Sequence, residues 1–274
     1  MEEVFFDASG AQELAPGMWL GGYPCIAKNA FGGDFLSEKN IKIIINCGDT
    51  LRFLQYLELC DVVGISSDVI IISLDPSFDR SCSHMITDFV ATFRKKITNY
   101  VQSFYILNPK KNLIHEFPDN FNELLQSPIL HGSNLNVHFF NINRLVKLFR
   151  SVNSDVEVLI MSETGNNSLS TALAITYLMD NYSYKLEPSF RLVQSKRPSI
   201  APLNINFYDD LLIIENLKKF YSENMSIKLR SNGVLMANCK LKRRHDDEEK
   251  EEESDDLISV GGDANKRIRP LNYY

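Results

Sequence analysis

One stretch constrains this chain more than any other. It runs from Val156 to Met179 and reads VEVLIMSETGNNSLSTALAITYLM. Its opening, VEVLIM, is a short β-branched and apolar run, the pattern of a buried strand. Its close, SLSTALAITYLM, mixes small residues with Leu and Ile and predicts a buried helix. Between them lies SETGNNS, a polar turn with one glycine. A strand, a small-residue turn and a buried helix together aim backbone N–H groups at one point, where the helix N-terminus adds a partial positive charge. That layout suits a phosphate cradle. It suits an ordinary βα turn of an α/β domain as well, and by itself the stretch favours the ordinary turn.

The surroundings add to it. The segment resembles the dual-specificity branch of the protein tyrosine phosphatases. In that family the strand ends in His-Cys, the loop reads Cys-x5-Arg with a Gly three after the Cys, and the helix ends in a sequence like AYLM. Here Gly165 fits if Ser162 stands at the Cys place; Ser168 then stands at the Arg place and Met161 at the His place. A second register puts Glu163 at the Cys place and Leu169 at the Arg place, which aligns ITYLM and loses the glycine. Neither register puts a Cys or an Arg anywhere in Ser162, Glu163, Thr164, Gly165, Asn166, Asn167 and Ser168.

Taken in order, the chain opens on an acidic lead over residues 1–13. Leu14 to Tyr23 (LAPGMWLGGY) predicts a turn and a short strand ended by glycines, similar to the Leu-Gly strand that opens the phosphatase family's domain. Strands are predicted at Ile41–Asn46 and Ile70–Leu74, with a short helix and a loop between them. A helix is predicted over His84–Phe104, on the spacing of Met85, Phe89, Phe93 and Ile97, and another over His138–Val152. Between them, from about Phe104 to Asn136, lies an insertion that a compact dual-specificity domain lacks. It is rich in aromatic and apolar residues, and inserted segments of this length are usually functional or disordered. Phe117, Phe121 and Leu124 are its candidate partner-binding anchors; equally, they are candidates to pack on the domain itself. Beyond the loop helix, Arg197, Pro198, Pro202, Asn204 and Phe207 match the family's Arg-Pro…Pro-Asn…Phe stretch with Leu203 as an extra residue. They read as packing residues.

The chain has 274 residues, enough for one well-cored domain plus extensions. Its net charge of −6 implies no general nucleic-acid affinity. Five cysteines without a C-x-x-C pair suit a reducing compartment and argue against a disulfide framework or a zinc site. The N-terminus does not read as a signal peptide, and no run is long enough to predict a membrane span. A domain over residues 14–225 is expected. Residues 226–274 combine a basic cluster (Lys240, Lys242, Arg243, Arg244) with a dense acidic block, a pattern expected to be disordered. The basic cluster is also a candidate nuclear-import signal, so the expected location is nuclear, cytoplasmic or both.

The resemblance implies an α/β fold of the protein tyrosine phosphatase kind, with a central, mostly parallel sheet flanked by helices. It also implies the chemistry whose parts can be checked. A loop thiolate attacks phosphorus, an Arg holds the phosphoryl oxygens in a bidentate grip, and an acid on the loop after the Ile70–Leu74 strand protonates the leaving oxygen. By order along the chain Asp75 stands at the acid's place, with Asp79 the second choice; both also read as turn and helix-start residues. With thiol and guanidinium both replaced, the expectation is a catalytically inactive domain similar in kind to the STYX-like pseudophosphatases. It would take no cofactor and would bind another protein, a phosphorylated one included, as a scaffold or regulatory subunit. The alternative is a divergent active phosphatase acting on a phosphoprotein, a phosphoinositide or an RNA 5′ end.

Overall fold

The computed structural model describes residues 10–27, 34–59, 65–79, 83–107, 122–200 and 207–216. All of these lie in the first of two compact units, residues 1–222; the second, residues 223–274, lies outside the described residues. So the tail, with Lys240, Lys242, Arg243 and Arg244, is not described, and neither are Phe117 and Phe121.

Strands β1 (Gln12–Ala15) and β2 (Met18–Gly22) are followed by a 3-10 turn (Tyr23–Ile26), α1 (Phe35–Glu38), β3 (Ile41–Cys47), α2 (Thr50–Leu59) and β4 (Ile70–Leu74). Then come α3 (His84–Leu107), α4 (Asn122–Gln126), β5 (Ile129–Leu130), α5 (Leu135–Val152), β6 (Glu157–Ser162), α6 (Ser168–Tyr182) and α7 (Leu186–Lys196). A last helical run covers 207–216. The strands form one six-stranded sheet in the order β1-β2-β6-β3-β4-β5. Only β1 and β2 are antiparallel; every other pair is parallel. The fold is therefore the α/β architecture expected, a mostly parallel sheet with helices packed on it.

Both faces of the sheet are covered, which is why its strands are nearly continuous apolar runs. Ile43, Ile45, Cys47, Ile70, Ile72, Leu74, Val158 and Ile160 enter one core together with residues of α5, α6 and α7. Their neighbours Ile44, Ile71, Leu159 and Met161 enter a second core with residues of α1, α2 and the first half of α3. One residue breaks the alternation. The β3–β6 register jumps from Ile41↔Glu157 to Ile43↔Val158, leaving Lys42 bulged out. The bulge turns Ile41 into the second core, although Ile43 faces the first. Lys42 meets Asp68 at 2.6 Å.

Helix α6 is buried at every position from Leu169 to Met179; its residues there are apolar apart from Ser170, Thr171 and Thr176, whose hydroxyls bond to backbone carbonyls of Asn167 and Leu173. β6 lies at the middle of the sheet although it is the last strand in sequence. The chain builds outward through β3, β4 and β5, then returns through α5 to insert β6 beside β2. This reversal is where α/β sheets place their functional crevice, at the carboxyl ends of the strands.

The inserted stretch differs from the expectation. α3 continues to Leu107 and Phe104 is fully buried. After α4, β5 pairs in parallel with β4, Ser73 opposite Ile129 and Leu74 opposite Leu130. Leu124, a candidate either for a partner-binding anchor or for packing on the domain itself, is fully buried in the main core. The reason is positional: α4 leads straight into a sheet strand, so its apolar face has the domain's own core to cover. α5 also begins earlier than expected, at Leu135.

Candidate functional site

The site is built where β6 ends. Ser162 closes the strand, and the next residues turn sharply before α6 begins at Ser168. Asn167 caps that helix: its Oδ1 accepts from Leu169 N at 2.8 Å. Its carbonyl takes the Ser170 hydroxyl at 2.8 Å and Thr171 N at 3.1 Å. Gly165 N donates to Ser162 O at 3.2 Å and closes the turn. Gly165 has φ +71°, and a Cβ there would collide with the Arg197 guanidinium and lie 2.6 Å from the Gly21 carbonyl carbon. Only glycine meets both demands.

The loop is held from two sides. Tyr23 N donates to Glu163 O at 3.3 Å. From below comes Arg197, a fully buried residue on the turn after α7. Its Nε donates to Asn166 Oδ1 at 2.9 Å and its Nη2 to Thr164 O at 3.2 Å. Its Nη1 donates to Gly10 O at 3.0 Å, Leu20 O at 3.3 Å and the Gln12 side-chain oxygen. Ser199 Oγ also donates to Asn166 Oδ1, at 2.8 Å. Arg197 reads in the sequence as a packing residue; the structure makes it the guanidinium on which the loop rests.

Beside the loop, polar residues at the ends of β3 and β4 form a continuous buried chain. The Tyr23 hydroxyl donates to Asn46 Oδ1 at 2.8 Å, and Asn46 Nδ2 donates to Ser73 Oγ at 2.9 Å and Gly48 O at 3.2 Å. Ser73 Oγ meets Thr50 Oγ1 at 2.8 Å. Thr50 then donates twice to Asp75 Oδ2, from its N at 2.8 Å and its hydroxyl at 2.9 Å. Ser77 Oγ donates to Asp75 Oδ1 at 3.1 Å. The expected acid remnant, Asp75, is thus 4% exposed, with its carboxylate turned onto the first residue of α2. Asp79 is exposed.

Beside the loop two carboxylates share one guanidinium. Glu163 and Asp49 are exposed, and Arg52 lies between them, 3.5 Å from Glu163 and 4.0 Å from Asp49. Burial raises the Tyr23 hydroxyl far above its ordinary range, and Cys47, Glu163, Asp49 and Asp75 push it the same way. Ser162 is 1% exposed and its hydroxyl lies 3.4 Å from that of Ser170, which is no base. Two thiols lie near the strand ends, and burial holds both protonated. Cys25 is pushed up to about 12, its cost of ionising only partly offset by Arg197, and Cys47 is pushed higher still. Among the described residues no cluster of His, Cys, Asp and Glu could hold a metal ion. No helix among them is long and apolar enough to cross a membrane.

Of the residues singled out in the sequence, the structure brings 162–168 together as one loop with Arg197 beneath it. Asp75 sits in the neighbouring chain of side chains. Tyr23, Thr50 and Ser73 were missed. The signal is a polar residue in the last two positions of an apolar strand, which Asn46, Ser73 and Ser162 share.

Several solved structures are similar in outline. The human tyrosine phosphatase-like serine/threonine/tyrosine-interacting protein is 17% identical, with 77% of this chain and 98% of that one covered and a TM-score of 0.41. A mouse putative dual specificity phosphatase, complexed with zinc tungstate, is 14% identical over 81% and 95% of the two chains, TM-score 0.42. Human DUSP28 is 15% identical over 76% and 95%, TM-score 0.39. Scores this low leave the reading of the site to the chain's own geometry. No curated protein matches the sequence. A family profile does match, described as the YAL037W N-terminal domain, over residues 21–165, a span that starts at the glycine pair of β2 and stops inside the loop. Since that span is more than half of its length, the chain belongs to the YAL037W N-terminal domain family.

Proposed function

We propose that this chain is a phosphatase-like domain that does no phosphatase chemistry and works as a protein-binding scaffold or regulatory subunit. The observation that carries the reading is the content of the loop. It has neither thiol nor guanidinium, and its serine at the thiol's place is buried against another hydroxyl. A serine without an adjacent base is a poor nucleophile, and no arginine of the loop itself is there to hold phosphoryl oxygens. Glu163 places a carboxylate where a dianion would approach, and Arg52 is already engaged with it. Asp75, the residue at the acid's place, is bonded to Thr50 and Ser77. The partner in this reading is another protein, a phosphorylated one included, and the basic cluster at Lys240–Arg244 is proposed as the address that takes the chain to the nucleus.

The test is direct. The purified chain is expected to hydrolyse a small aryl phosphate no faster than buffer. Turnover well above buffer that disappears in Ser162→Ala would overturn the reading. Affinity capture from cells followed by mass spectrometry should return a stoichiometric protein partner; a chain recovered alone under mild conditions counts against the scaffold role.

A further inference from the structure

We propose that Arg197 is a positioning residue that couples the segment leading into β1 to the 162–168 loop, so that a change at either end is felt at the other. The inference stands on hydrogen-bond geometry alone and holds whether or not the loop does chemistry.

A guanidinium is planar and carries five N–H donors in a fixed fork. In Arg197 the two edges of that fork serve different parts of the chain. Nε and Nη2 hold the loop, through Asn166 Oδ1 and Thr164 O. Nη1 holds Gly10 O, the Gln12 side chain and Leu20 O. The group is fully buried, so a donor that lost its acceptor would gain no solvent in exchange. A rigid plane bonded on both edges cannot follow one partner without drawing on the other. Space gives the same answer: Gly165 packs so closely over the guanidinium that a Cβ would strike it, with Gly21 and Gly22 on the other side. At Gly165 the loop is therefore in close contact with both the guanidinium and β2. Gln12 and the loop are about 150 residues apart in sequence, and this one side chain bonds to both.

The experiment is amide hydrogen exchange on the full chain, read peptide by peptide, for wild type, Arg197→Lys, Gln12→Ala and Asn166→Ala. Arg197→Lys keeps the charge and loses the fork. It is expected to speed exchange over 162–168 by about tenfold, the loss of one or more charge-assisted bonds. Gln12→Ala removes an acceptor from the far edge, and is expected to speed exchange in the same loop peptide while α3 and β4 stay as in wild type. Asn166→Ala frees the loop edge of the guanidinium, and the Ser199 hydroxyl with it, and by reciprocity should speed exchange at 10–15. A merely structural role would give changes confined to each variant's own neighbourhood. The proposal is overturned if Gln12→Ala leaves 162–168 unchanged, if Asn166→Ala leaves 10–15 unchanged, or if Arg197→Lys exchanges like wild type. Should Arg197→Lys fail to fold, the other two variants decide the matter.

Discussion

Two buried polar regions of this domain are treated in opposite ways. At the loop end of the sheet, Tyr23, Asn46, Ser73, Thr50 and Asp75 are joined partner to partner, and Arg197 is bonded along both edges. In the layer where α5 meets α6, polar groups are buried with less to bond to. Asn143 reaches Thr176 Oγ1 only at 3.4 Å, and Asn143 Oδ1, Arg144 Nε and the Tyr177 hydroxyl have no hydrogen-bond partner among the described residues. Arg144 and Lys147 converge on Asp180 at the layer's edge, at 3.2 and 2.8 Å. A bonded network in a low-dielectric interior is stiff and fixes one arrangement; a partly bonded one contributes less and tolerates change. The difference teaches where this chain keeps its shape. It spends its hydrogen bonds on the loop end and leaves the helix layer to apolar packing.

Substitutions can break that contrast or sharpen it. Gly165→Ala should have the largest effect, because φ +71° disfavours any Cβ and the space is already taken by Arg197 and Gly21. A loss of about 3 kcal/mol or more is expected in chemical denaturation, and a wild-type midpoint would show that the loop is not held as described. Leu124→Ala tests the apolar packing of the main core. Full burial predicts a loss of about 2–4 kcal/mol; an unchanged unfolding curve would return Leu124 to the role of an exposed anchor. The pair Asn46→Ala and Asn143→Ala compares the two regions at equal chemistry. Asn46→Ala leaves the Tyr23 hydroxyl without its acceptor, takes one of two hydrogen bonds from Ser73 and should cost about 2 kcal/mol, whereas Asn143→Ala should cost less than about 1 kcal/mol. Equal losses in thermal or denaturant melts would erase the distinction.

The sequence made the sheet legible and the site only half so. Strands β3 and β4 are plain because burial on both faces writes them as Ile-rich runs. The stretch through β6 and α6 is plain for the same reason, with Gly165 marking the turn between them. β5 is invisible because two residues carry no period, and its existence depends on β4 being there to receive it. Leu124 is ambiguous in sequence since an apolar residue on an inserted segment suits a partner or a core equally well; α4 running into β5 decides it. Arg197 is the instructive case. A basic residue before proline at a helix end reads as a C-terminal turn, and nothing local reveals its partners. They are Gly10, Gln12, Leu20, Thr164 and Asn166, distant in sequence and near only once the sheet has formed.

The two ends of the sheet carry a consequence of their own. On one side the outermost strand is β5, of two residues; on the other it is β1, of four residues with a register shift between Glu13 and Ala15. An incoming strand needs a run of unpaired backbone donors and acceptors in register, and neither rim offers one. Growth of the sheet across molecules, by edge-to-edge aggregation or by the addition of a peptide as an extra strand, has no template among the described residues. Among the described residues, docking therefore falls to side chains and surface shape.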